Sequence, residues 1–185
     1  MSNTPHVKGA DREALLLTAQ GLIAETYPRS TFTSGNIAVT GTVYYMAVPL
    51  LANDLVTSLV ANVGVAAVGM TLSKAGLYDS TGTRLALSLD QGVAFQSLGH
   101  KIIPMIAAFR ILTSGLYYVA LLSVFTVTGP SFARGGLNSG GTVNSPINAG
   151  ARPFGVQLAQ ADLPATAIIV DGAANSAFHY YIAVI

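Results

Sequence analysis

The chain contains no cysteine and no tryptophan, and only 9% of its 185 residues are charged. Without cysteine there are no disulfides, no thiolate nucleophile and no cysteine-held zinc. Charge this far below the ~25% usual in soluble domains leaves little for electrostatic recognition. The net charge of +1 gives no basis for binding nucleic acid or an acidic lipid surface. The opening MSNTPHVKGADRE has no apolar core of the signal-peptide kind, so no leader is expected. His6, His100 and His179 are scattered and form no HExxH or His-x-His spacing, so no metal site is expected. There is no G-x-S-x-G elbow, and GGLNSGG lacks the Lys-Ser/Thr of a phosphate loop. The sequence therefore predicts a protein that is not an enzyme and holds no cofactor. A hydrolase would need two converging carboxylates, such as Asp79 and Asp90, and turn capping accounts for both more simply.

What the chain has in excess is apolar surface, with hydrophobic residues at 51%. Leu55 to Ser73 runs 19 residues without a charge and Ile111 to Ala133 runs 23. Either is long enough for a membrane helix. Both, however, carry glycine and hydroxyl residues, are rich in valine and threonine, and lack flanking basic clusters. Strands are expected, with no membrane insertion. A soluble chain this apolar must hide surface, and self-association is the economical way.

Residues 1–9 read as an arm. The stretch Arg12 to Thr26 reads as a helix with an apolar stripe of Leu15, Ala19, Leu22 and Thr26, flanked by Leu16 and Ile23. Such a helix either packs on its own domain or meets copies of itself about a symmetry axis. From Thr31 short strand patterns follow at regular spacing. In GLYDSTGTRLALSLD, the turn Asp79-Ser80-Thr81-Gly82 predicts a β-hairpin, with Leu85, Leu87 and Leu89 on one buried face of the return strand. Leu116 to Val127 and Phe178 to Ile185 are apolar on both faces, so the helix or a neighbouring subunit is expected to cover them. The final strand, ending at Ile185, is expected to dock in a sheet. Gly129 to Gly155 holds seven glycines and reads as one long loop, a candidate contact for a partner or ligand. Tyrosines pair at 44–45, 117–118 and 180–181, and adjacent strand residues face opposite ways. One of each pair is expected in the core, the other at an interface or as a platform for a sugar.

These patterns predict an all-β fold: an antiparallel β-sandwich, a jelly roll, with a short N-terminal α-helix. The arm and amphipathic helix occupy 1–27. The jelly-roll domain occupies 28–185, with the Gly-rich loop at 129–155.

The ordered series GLYDSTGTRLALSLDQGVAFQS, TSGLYYVALLS and LPAT, with ETYPRSTFTSGNIAVTGTVYYMAVPLLANDLVTSLV upstream, resembles jelly-roll virion proteins of tailed bacteriophages. The likeness spans about Glu25 to Ile185. It departs at KIIPMIAAFRILTSG, which is more apolar than the pattern, and at the Gly-rich 129–155 segment. The resemblance implies a non-enzymatic structural protein at the phage particle surface: a head decoration, minor tail or fibre component. It implies a homotrimer that contacts other virion proteins. The alternative it implies is a carbohydrate- or cell-wall-binding module that recognises a host surface glycan. The residues expected at the oligomer interface are Leu15, Leu22, Ile23, Tyr117 and Phe125.

Overall fold

The computed structural model describes residues 15–26, 32–135, 154–168 and 180–185. Their elements are β1 (Ala24–Glu25), β2 (Phe32–Ile37), β3 (Thr42–Leu50), β4 (Leu55–Val65), β5 (Val68–Tyr78), β6 (Arg84–Leu87), β7 (Gly99–Arg110), β8 (Gly115–Thr128), β9 (Ser131–Gly135), β10 (Phe154–Gln157) and β11 (Ile182–Val184). Residues 15–19 are helical, and Ala94–Gln96 form one 3-10 turn.

The strands form two antiparallel sheets packed face to face. One has the order β10-β3-β8-β5-β6. In the other, β4 pairs with β7 along one edge, and with β11 and then β9 end to end along the opposite edge. β1 lies outside β11, and β2 outside β9. Counting β2 to β9 as strands one to eight, the sheets run one-eight-three-six and two-seven-four-five. That is the double Greek key of a jelly roll, as the sequence predicted. β1, β10 and β11 extend it.

Period-two alternation decides which side chains meet. Met46 and Val48 of β3, Leu59 and Val63 of β4, Leu77 of β5, Val119 and Leu121 of β8, and Ile182 and Val184 of β11 fill the space between the sheets. Burying each such side chain stabilises the fold by roughly 1.5–3 kcal/mol relative to exposure. Through this core four rings meet edge to face. Tyr44 lies 4.8 Å from Tyr180, Tyr180 lies 5.4 Å from Phe132, and Phe132 lies 5.2 Å from Phe95.

Part of the apolar outer face of each sheet is covered by the chain itself. On the β3-β8-β5 side, Val43, Tyr45, Tyr78, Tyr118 and Leu122 are buried beneath Leu163 and Ala167. These two belong to a strap, residues 158–168, that leaves β10 and crosses the sheet. Its fastenings are specific. Tyr78 Oη donates to the Pro164 carbonyl at 2.8 Å, and the Arg84 guanidinium donates to the Leu163 carbonyl. Lys74 pairs with Asp162 at 2.7 Å. The backbone of Gly82 and Arg84 bonds Ala167 and Ala165. On the opposite sheet, Val60, Ala133, Tyr181 and Ala183 are covered by Leu22, with Leu17 beside it. Of the two covers the sequence left open for the closing strand, the N-terminal segment supplies one, chiefly through Leu22 just past the helical residues. The middle of β8, Tyr118 to Leu122, is covered instead by a strap the sequence did not suggest, while Leu116 and Val127 stay exposed.

Three local expectations change. The predicted helical stripe is broken, because Gly21 takes a φ of +70°. The chain turns there, so Leu22 and Ile23 leave the helix and Ala24–Glu25 become β1. The return strand of the hairpin does not keep the leucines on one face: Leu85 packs against the inter-sheet core and Leu87 against the outer cluster. The strand ends at Leu87, and beyond it Ser88 is fully buried and Leu89 is 66% exposed. Ser88 Oγ takes the Ala75 N–H at 2.9 Å, and Asp90 Oδ1 takes the Ser73 N–H at 2.7 Å, so side chains replace ladder bonds there. Finally, the segment read as a single loop at 129–155 contains β9 and the start of β10. Its residues 136–153 lie outside the described residues. The DSTG turn itself forms as predicted: Asp79 Oδ1 accepts from Thr81 N and Thr83 N, and Gly82 takes a φ of +90°.

Candidate interaction surface

The β7 sequence GHKIIPMIAAFR is the longest apolar stretch on an edge. Ile103 and Met105 face the core. Alternation then turns Ile102, Pro104 and Ile106 outward, where Ile102 is 65% and Ile106 61% exposed. Among the described residues, β4 alone pairs with β7 as a strand, and the other edge of β7 meets the second sheet through one bridge, Ser88 to Met105. Edge strands usually carry charges that block pairing with other chains. Here the two cations at the strand ends are engaged within the chain. Lys101 donates to Ser97 Oγ and to the Leu98 carbonyl, and Arg110 donates to the Asn53 carbonyl. Between them no charge interrupts the strand. Exposed Leu98 precedes it.

Sequence patterning reads HKIIPM and FRIL as two short strands, parted at Ile106 to Ala108, and so misses the length of β7. The proline was in fact the available signal. It has no N–H for a ladder bond and is confined to sheet edges.

The five residues expected at an interface fall in different surroundings. Leu15 is 62% exposed on the helical residues. Leu22 is 8% exposed, under its own sheet cover. Ile23 and Tyr117 pack against the inter-sheet core. Phe125 is half-buried near the end of β8. The structure does not bring the five together on one face.

The tyrosine pairs divide as the alternation requires. Tyr44 and Tyr180 enter the inter-sheet core, while Tyr45 and Tyr118 lie under the strap and Tyr181 under Leu22. The outward members are therefore covered by the chain itself. Burial raises the phenol pKa of Tyr44, Tyr45 and Tyr180, and pushes Tyr78 and Tyr118 up to about 12. Tyr45 Oη donates to Gln157 Oε1 at 3.0 Å. A phenol whose pKa is raised on folding contributes stability that is complete below the unfolded value near 10 and declines as pH rises towards the folded value. Alkali is therefore expected to leave these five phenols protonated until the protein unfolds. Phenolate absorbance, followed together with circular dichroism, should show them ionising in one cooperative step with loss of the fold. A gradual titration of all tyrosines with the fold intact would contradict this.

Among the described residues no cluster of three His, Asp or Glu side chains could hold a metal ion. His100 lies on β7, and His6 and His179 are outside the described residues. Asp79 and Asp90 are both engaged in backbone hydrogen bonds at turns. No helix of the described residues is long and apolar enough to cross a membrane. No family model matches the chain, and no curated protein matches it.

Proposed function

We propose that the chain is a non-enzymatic structural protein of a bacteriophage particle surface, a decoration, minor tail or fibre component, that self-associates as a homotrimer. The exposed apolar face of β7 carries the self-association. It is a twelve-residue edge strand whose outward residues no other described part of the chain covers. Exposed Leu15 and Leu16 on the N-terminal helical residues add a second apolar contact. The jelly-roll architecture and the resemblance in the hairpin and GLYYV strands support the placement on a virion.

Light scattering of the purified protein is expected to give the mass of a trimer. The double substitution Ile102→Glu and Ile106→Glu should yield monomer with an unchanged circular dichroism spectrum, because both side chains are already exposed. A monomeric wild type at micromolar concentration would overturn the self-association. Antibody against the chain is expected to label purified phage particles in electron micrographs. Unlabelled particles, with antibody reactive on the free protein, would remove the virion assignment.

A further inference from the structure

Two turns singled out by the sequence, DSTG and TSG, meet at one end of the sandwich. Between them lies a cleft of about 150 Å³ lined by Asp79, Ser80 and the run Thr113 to Tyr117. From this geometry we infer that the cleft is a binding site for one neutral sugar unit.

Its chemistry is that of a polyhydroxy ligand. Asp79 Oδ1 is filled by Thr81 N, Thr81 Oγ1 and Thr83 N, which fixes the carboxylate plane. Asp79 and Ser80 both line the cleft, which places a carboxylate and a hydroxyl where a ligand can reach them. Ser114 Oγ accepts the Ala52 N–H at 2.8 Å, which leaves its own proton free to donate. A hydroxyl both donates and accepts, as the hydroxyls of a sugar do. Leu116 and Tyr117 supply an apolar wall, and Tyr117 Oη is anchored to the Thr113 carbonyl at 2.7 Å. No cation lines the cleft, so a phosphate or carboxylate would find no counter-charge. One carboxylate alone is too little for a divalent cation. The volume is below the ~300–1,000 Å³ of pockets that enclose drug-sized ligands, and it suits a single sugar ring.

Gly115 provides the decisive variant. A Cβ built there meets nothing within 4 Å, and its backbone is not in the left-handed region. Leucine at this position would fill the cleft without straining β8.

The test is a titration of the isotopically labelled protein with free glucose, galactose, mannose and N-acetylglucosamine, read by amide chemical shifts. At least one sugar is expected to give saturable shifts confined to residues 79–81 and 113–117, with millimolar affinity. Gly115→Leu should abolish them while leaving the rest of the spectrum in place. Asp79→Asn keeps the Oδ1 acceptor of the turn but replaces the other oxygen with a donor, and should weaken binding about tenfold. Absence of shifts with all four sugars, or shifts that persist in Gly115→Leu, would overturn the assignment. The inference does not depend on the oligomer or on the virion, and its failure would leave the light-scattering result untouched.

Discussion

Phe132→Ala is expected to destabilise the protein by about 3–5 kcal/mol, the largest effect of any single substitution considered. Phe132 is fully buried and lies third in the series Tyr44, Tyr180, Phe132, Phe95, touching a ring on each side. Its strand, β9, joins β4 to β2. Removing the ring opens a cavity whose walls come from both sheets, and it also removes two edge-to-face contacts. At this chain length each kcal/mol lowers the melting temperature by about 2–4 °C. Phe132→Leu, which keeps most of the volume, should cost distinctly less. Equal losses for the two variants, measured by denaturant titration, would mean that ring packing contributes little.

Gly82→Ala is expected to cost about 2–3 kcal/mol and to loosen the strap. Two causes act at this position. The φ of +90° disfavours any side chain. An added Cβ would also fall against the carbonyl oxygen of Ala167, whose own N–H donates to Gly82 O at 2.7 Å. The strap then shifts, uncovering Tyr45, Tyr78 and Tyr118. Limited proteolysis should show new cleavage between 158 and 168 in Gly82→Ala and none there in the wild type. Gly82→Asn separates the causes, because asparagine tolerates a positive φ but still carries a Cβ. A variant as stable and as protease-resistant as the wild type would show that the strap is not fastened through this turn.

The DSTG hairpin, the two-faced strand β8 and the divided tyrosine pairs were legible because each depends on neighbours in sequence. The strap was not. Residues 158–168 read LAQADLPATAI, a largely apolar stretch whose PATAI end patterns as the start of a strand. It forms none there beyond the single bridge of Thr166 to Thr83, and only the tertiary fold brings Leu163 and Ala167 over Tyr78 and Tyr118. The helical stripe failed at one residue: Gly21 permits a left-handed turn that periodicity does not register. The leucine alternation failed at the irregularity between Arg84 and Ala86, which puts Leu85 and Leu87 on different faces, and again at Ser88, whose hydroxyl takes a backbone N–H. The cleft between Ser80 and Ser114 could not be read at all, because the turns that form it lie more than thirty residues apart in sequence. Its parts were visible in the chain, and their meeting depends on the Greek-key order.

The end-to-end seating of β11 and β9 on one edge of β4 has a consequence for synthesis. Leu59, Val60 and Ala61 acquire their partners on that edge only from residues 182–184. A ribosome adding ~5–20 residues per second delivers those residues roughly 6–24 s after β4 has been made. Throughout that interval β4 offers an open apolar edge to any nascent chain nearby. Crowded translation of many copies therefore favours pairing between chains, and slower initiation or an edge-binding chaperone should raise the yield of correctly closed protein.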